Sequence, residues 1–355
     1  MAAARVLLRR STAIESPVRS LHRLSPADAR DSSLPWDHMF SWRSLEEFVD
    51  RLHSSICYQD DAIVAIQKPW GVGIHRAHPT LKKQQMHMVS YLSFGDPRFS
   101  LQDGLPFLAE RLHSPPLTPV RPIDRFESGL VLLAKGDKGI HVINKSINRC
   151  KPQGIPYAKF WCITKGYPVI PGSLVSEKIT VMKKDADELA EYKEPMLIDK
   201  RAFRSSFIRQ HQQDFVTGAV EMRVLASNHK LAVSLLQIAT NQTKFSLVRC
   251  YAASKTSFIL GDTRFAPRIR HIFGEPITLK PSAVSSKDYE PLAFPVRKRL
   301  LVTSNSHLPL MLHLHSFSIP GYQGNKDFEI VARDLPPHFE WTLNRLALET
   351  PVTSK

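Results

Sequence analysis

The segment Gly129-Leu-Val-Leu-Leu-Ala134 limits the possible folds more than any other part of the chain. A continuous apolar run of this length, opened by Ser128-Gly129 and closed by Lys135, reads as a buried strand. Ahead of it stands Arg121-Pro-Ile-Asp124-Arg-Phe-Glu127, so a carboxylate precedes a small Ser-Gly turn at the mouth of that strand. Catalytic groups are held rigidly at such a place. An Asp before a turn also caps backbone, and Asp124 taken alone is open to either role.

The remaining pattern surrounds this strand with others. Asp61 to Gln67 reads as a strand stopped by Lys68-Pro69-Trp70-Gly71, with His75 in the polar loop beyond. Lys159 to Thr164, Ala219 to Leu225, Leu231 to Ala239 and Leu312 to Ser318 read as further strands. Helices are predicted from Ser44, with Glu47 completing a Ser-x-x-Glu start, through Ile140, Ile143 and Ile147 to an end near Asn148, around Arg249, and over Pro337 to Leu348. Val175 to Thr217 is predicted to hold irregular hairpins, and Ala266 to Ser306 a surface excursion. Many strands with few interposed helices, and no regular βαβ alternation, give an α+β fold around a largely antiparallel, mixed sheet.

Charge narrows the partner. The chain has 48 Lys and Arg against 33 Asp and Glu, a net +15, which suits a polyanion whose phosphates release counterions when neutralised. The four cysteines are widely separated and form no C-x-x-C pair, against both a disulfide framework and a zinc site. His313 and His315 alternate on one strand without a third ligand at suitable spacing, so no metal site is expected. No apolar window is long enough for a membrane span. Arg5, Arg9, Arg10, Arg19 and Arg23 with only one acid, Glu15, before Ser25 match a mitochondrial presequence; a basic RNA-binding arm is the other reading.

In chain order, Lys68-Pro69-Trp70-Gly71 with His75, Asp124 with Ser128-Gly129 and Ala134-Lys135, Lys159-Phe160-Trp161, Arg249, and Ile259-Leu260-Gly261-Asp262 resemble the motifs of the RluA-type pseudouridine synthases. Leu312-His313-Leu314-His315 and the helix bearing His338, Leu343 and Arg345 are similar to the tail of the animal mitochondrial members of that group. The resemblance implies a pseudouridine synthase fold over residues 60–320. A presequence or disordered arm over 1–33, a helical extension over 34–59 and a packed C-terminal strand and helix over 321–355 complete the expected organisation.

The resemblance also implies chemistry. Uridine would be isomerised in mitochondrial rRNA, tRNA or mRNA, with no cofactor, by a monomer in the mitochondrial matrix. Asp124 would be the nucleophile or base, and the Arg249 guanidinium would compensate its charge. Trp161 would be an aromatic platform for the extruded base, although it equally suits a core tryptophan. Arg121, Arg125, Lys244 and His75 would contact the RNA. Three positions depart from the motifs: Pro122 replaces an arginine, Thr243 to Leu247 lack the usual His-Gln, and Phe265 stands where tyrosine is usual. These departures support a second reading, an RNA-binding protein of the same fold without catalysis.

Overall fold

The apolar run becomes strand β4 (Ser128–Lys135), buried at every position except Lys135. A computed structural model describes residues 34–37, 39–76, 93–168, 172–185, 193–273, 275–279, 283–284, 291–303, 307–323 and 326–351, so the arginine-rich segment 1–33 lies outside the described residues. From Pro35 onward the chain forms one unit.

β4 is the hub because several neighbours pair with it. β2 (Ile63–Lys68) runs antiparallel along one edge, from Ile63 against Ala134 to Lys68 against Gly129. Two strands share the other edge: β3 (Leu117–Val120) takes Leu132 to Lys135, and β13 (Leu312–Gln323) takes Ser128 and Gly129. The β4–β13 contact is parallel, and it forces glycine at position 129. Gly129 has φ +118°, and a Cβ there would collide with the Leu314 carbonyl. The sheet continues through β5 (Ala158–Lys165), β9 (Val233–Thr240), β8 (Phe215–Asn228), β6 (Leu174–Asp185) and β7 (Lys193–Ile198), all antiparallel. With β1 (Ile56–Gln59), β10 (Phe258–Ile259) and β14 (Lys326–Val331), it is 12-stranded among the described residues. Helices flank this mixed, mostly antiparallel sheet, as in a pseudouridine synthase-like fold.

Helix α1 (Leu45–Ser54) starts as its sequence indicates: Ser44 Oγ accepts from Glu47 N–H at 3.1 Å, although Glu47 Oε2 is reached by Arg43 N–H at 2.6 Å rather than by the cap itself. It packs on α2 (Leu101–Arg111) and β2. Helix α3 (Gly136–Gln153) lies on β4 and β13 and runs past the predicted end at Asn148. Cys150 continues the buried face of Ile143 and Ile147, and the stop comes only at Gly154, in the left-handed conformation at φ 68°.

Two other readings are corrected. The stretch read as irregular hairpins contains β6 and β7 as regular paired strands, tied further to β8 by a Thr180–Thr217 hydroxyl contact of 2.9 Å. The supposed surface excursion contains the hairpin β11 (Ile269–Ile272) and β12 (Glu275–Thr278), and helix α6 (Phe294–Arg299), with Arg268, Ile269, Val296 and Leu300 buried. Short helix α4 (Ser205–Gln210), α5 (Leu247–Ser254) and the closing α7 (Pro337–Arg345) complete the described helices.

Candidate active site

Two turns clasped together present Asp124. At the exit of β2, Lys68 turns its Nζ inward and donates to the carbonyls of Pro69, Val72 and Arg125 at 3.1, 2.9 and 3.0 Å. Gly71 N–H donates to the Arg125 carbonyl at 3.0 Å, and Arg125 Nε returns a bond to the Gly71 carbonyl at 2.8 Å. Trp70 packs against Phe126 with ring centroids 5.3 Å apart. The Asp124-Arg-Phe-Glu127 turn is closed internally as well: Glu127 N–H reaches the Asp124 carbonyl at 3.2 Å, and Asp124 N–H reaches Glu127 Oε2 at 3.1 Å. The result is an exposed Asp124 carboxylate on a turn that has little freedom to move. It accepts from Arg125 N–H at 2.5 Å.

The buried carboxylate in this turn is Glu127. Burial, and then the neighbouring Asp124 charge, push it above the usual carboxylate range, against the pull of Arg249 and Lys68. Burial lowers Lys68, with Glu127 and Asp124 opposing. In the sequence Lys68 is part of a turn signal and Glu127 only the end of the Asp124 turn. Nothing in the pattern distinguishes a buried Lys from an exposed one.

Arg249 is buried, at 4% side-chain exposure, but its guanidinium takes Asp262. Nε and Nη2 donate to the two carboxylate oxygens at 2.9 and 2.7 Å. Asp262 also accepts the N–H groups of Arg264 and Phe265, both at 3.0 Å. Burial would raise Asp262, yet Arg249 and these donors hold it below the usual range. Arg249 thus pairs with Asp262, a partner that the spacing of the motifs does not name. Asp262, at 1% exposure, needs a buried counter-ion. Arg249 still acts on the turn through Glu127. Phe265, in place of the usual tyrosine, lies under the guanidinium groups of Arg249, Arg264 and Arg268, 5.3, 5.8 and 4.4 Å from its centroid.

The other named residues divide into separate places. Arg121 has φ 53°, a strained backbone for a residue with a Cβ, and its buried Nε has no hydrogen-bond partner among the described residues. The charges of Arg121 and exposed Lys244 both act on Lys151, whose pKa is lowered first by burial and then by them. Lys151 was not singled out because the predicted helix stopped short of it. Trp161 is 5% exposed, stacked on His315 with centroids 3.8 Å apart and an interplanar angle of 18°. Exposed His75 meets Gln102 Oε1 through Nδ1 at 2.7 Å, on the wall of a 520 Å³ pocket that also includes Leu105 and Thr118. Arg125 additionally faces Asp96 at 3.7 Å.

No protein-family profile matches the chain. It is 24% identical over 307 residues to the human mitochondrial mRNA pseudouridine synthase RPUSD3, covering 86% of this chain and 79% of that protein. The bovine mitochondrial mRNA pseudouridine synthase RPUSD3 is 25% identical over 348 residues, 95% of this chain and 92% of the relative. The rat pseudouridylate synthase RPUSD4, mitochondrial, is 24% identical over 307 residues, with 84% and 71% covered. The solved structure of human RNA pseudouridylate synthase domain containing 4 superposes with a TM-score of 0.60 at 20% identity, over 86% of this chain and 98% of that one. Together these matches relate the chain to the pseudouridine synthase superfamily.

Proposed function

We propose that this chain is an RNA pseudouridine synthase acting on mitochondrial RNA, with Asp124 as its reactive carboxylate. The observation that carries the reading is an exposed carboxylate on a doubly clasped turn at the mouth of β4, in a chain related by sequence and fold to this superfamily. The reaction breaks the bond from uracil N1 to C1′, turns the base and rejoins it through C5, with no net redox change. An exposed anion on a rigid turn suits attack on the sugar or removal of a base proton. Arg121, Lys151 and Lys244 supply positive charge for the phosphates, and Arg125 and His75 offer further contacts to the RNA. Trp161 would serve as a stacking platform only after separating from His315. The arginine-rich start and the names of the relatives support a mitochondrial location.

Asp124→Asn tests the assignment. Pseudouridine formation on mitochondrial RNA should be abolished, while RNA affinity stays nearly constant because the contact surface is unchanged. Full activity in this variant removes Asp124 from the mechanism. Tight binding by the unaltered protein with no pseudouridine on any mitochondrial RNA selects the non-catalytic reading, which the proline at position 122 favours.

A further inference from the structure

The exposed face of α3 carries a row of unpaired cations and amides that the reaction does not use. His141, Asn144, Lys145, Asn148, Arg149 and Gln153 border a surface groove of 590 Å³ that no carboxylate lines. Residues 141, 145 and 149 follow at i, i+4 spacing and therefore stand above one another. Among the described residues, neither Lys145 nor Arg149 is in an ion pair or a hydrogen bond.

A merely solvated helix face would gain from opposite charges at these positions. Two cations at i, i+4 disfavour the helix instead. The helix dipole does not account for the row, since its effect is confined to the last turn and Lys145 lies about two turns before Gln153. Lys151, on which the charges of Arg121 and Lys244 act, stands two residues beyond Arg149 and therefore on another side of α3. Arg149 is placed by its surroundings: its Nη1 lies over Gly321, where a Cβ would crowd it at 2.9 Å, and Ser146 Oγ fastens the helix to the Pro320 carbonyl at 2.6 Å.

We infer that the α3 face is a second RNA-binding surface, a track for the phosphates of single-stranded RNA outside the candidate site, with Lys145 and Arg149 as its principal contacts. This inference rests on the proposed function, and it adds to the candidate site a surface that contributes affinity but no chemistry.

The test compares oligouridylates of about 8 and about 24 nucleotides, the shorter within the range of a single-strand site. Each is titrated into the full chain and into the Lys145→Gln/Arg149→Gln double variant at several salt concentrations. With the long RNA, the slope of log affinity against log salt should fall by about 1.4 in the double variant, since each lost single-strand phosphate contact removes about 0.7. The short RNA should bind both proteins alike, and Lys145→Arg/Arg149→Lys should keep the full slope.

An unchanged long-RNA slope in a double variant with the wild-type circular dichroism spectrum overturns the track and leaves the proposed function standing. Salt-independent binding of both RNAs to the unaltered protein overturns both. Tighter binding of a poly-glutamate of equal charge, lost in the double variant, would make the occupant an acidic protein and overturn the RNA assignment.

Discussion

A buried guanidinium and a buried carboxylate are tolerable only together, and Arg249 with Asp262 meets that condition with two hydrogen bonds. Arg249→Met should therefore destabilise the chain by about 3–5 kcal/mol, because Asp262 would remain buried without its cation. Chemical denaturation measures this directly. A midpoint equal to that of the unaltered protein would show that Asp262 does not need Arg249. Exposed Asp124 should behave in the opposite way: Asp124→Asn should stay within about 0.5 kcal/mol of the unaltered stability. This contrast separates the stability of the site from its chemistry.

At the scale of elements, β13 and α7 bury histidines near the start of β4. His313 is fully buried with Nδ1 3.1 Å from Ser128 Oγ, and α7 contributes buried His338. Burial lowers His338 to about 3 and His313 well below its usual value. In the pH range between the folded value and the ordinary 6.5, the unfolded chain binds the proton and the native one does not. Stability from these groups is thus complete above about pH 6.5 and is lost as pH falls, by about 1.4 kcal/mol per pH unit for each histidine. Glu127, shifted upward, opposes this in part of the same window. The difference between the unaltered protein and His338→Leu isolates the histidine: urea midpoints at pH 7 and pH 5 should converge by about one proton's worth in the variant. Identical pH slopes would mean that His338 is protonated in the fold.

At the scale of the whole molecule, the +15 charge attracts RNA but does not open it. Taking a base out of a duplex costs a few kcal/mol, and least where the nucleotide is already unpaired. Pro122 is exposed and has neither charge nor reach, while the neighbouring Arg121 has its Nε turned into the protein. Without a wedge at position 122, product should form on a uridine in an open loop and scarcely at all on the same uridine closed by a complementary strand. Counting pseudouridine in the two RNAs decides it. Equal rates would assign the wedge to Arg121 or another side chain.

Local interactions made part of this protein legible from its residues. The buried β4 run, the Pro-Gly stop after β2, the Ser44 cap and the mixed, largely antiparallel sheet follow from hydrophobic period and turn chemistry, which act over a few residues. Asp124 was placed at the mouth of β4 by the same means. Partners across the fold were not legible. An alternating segment such as Leu312 to Ser318 suits an edge or a centre equally, and its place between β4 and β5 is decided by the close approach that Gly129 permits. Likewise, a lysine in a turn carries no mark of burial, and only the three carbonyls converging on Lys68 reveal its role. That Arg249 takes Asp262 follows from the packed chain's removal of this carboxylate from water, a property of the tertiary structure that no local pattern contains.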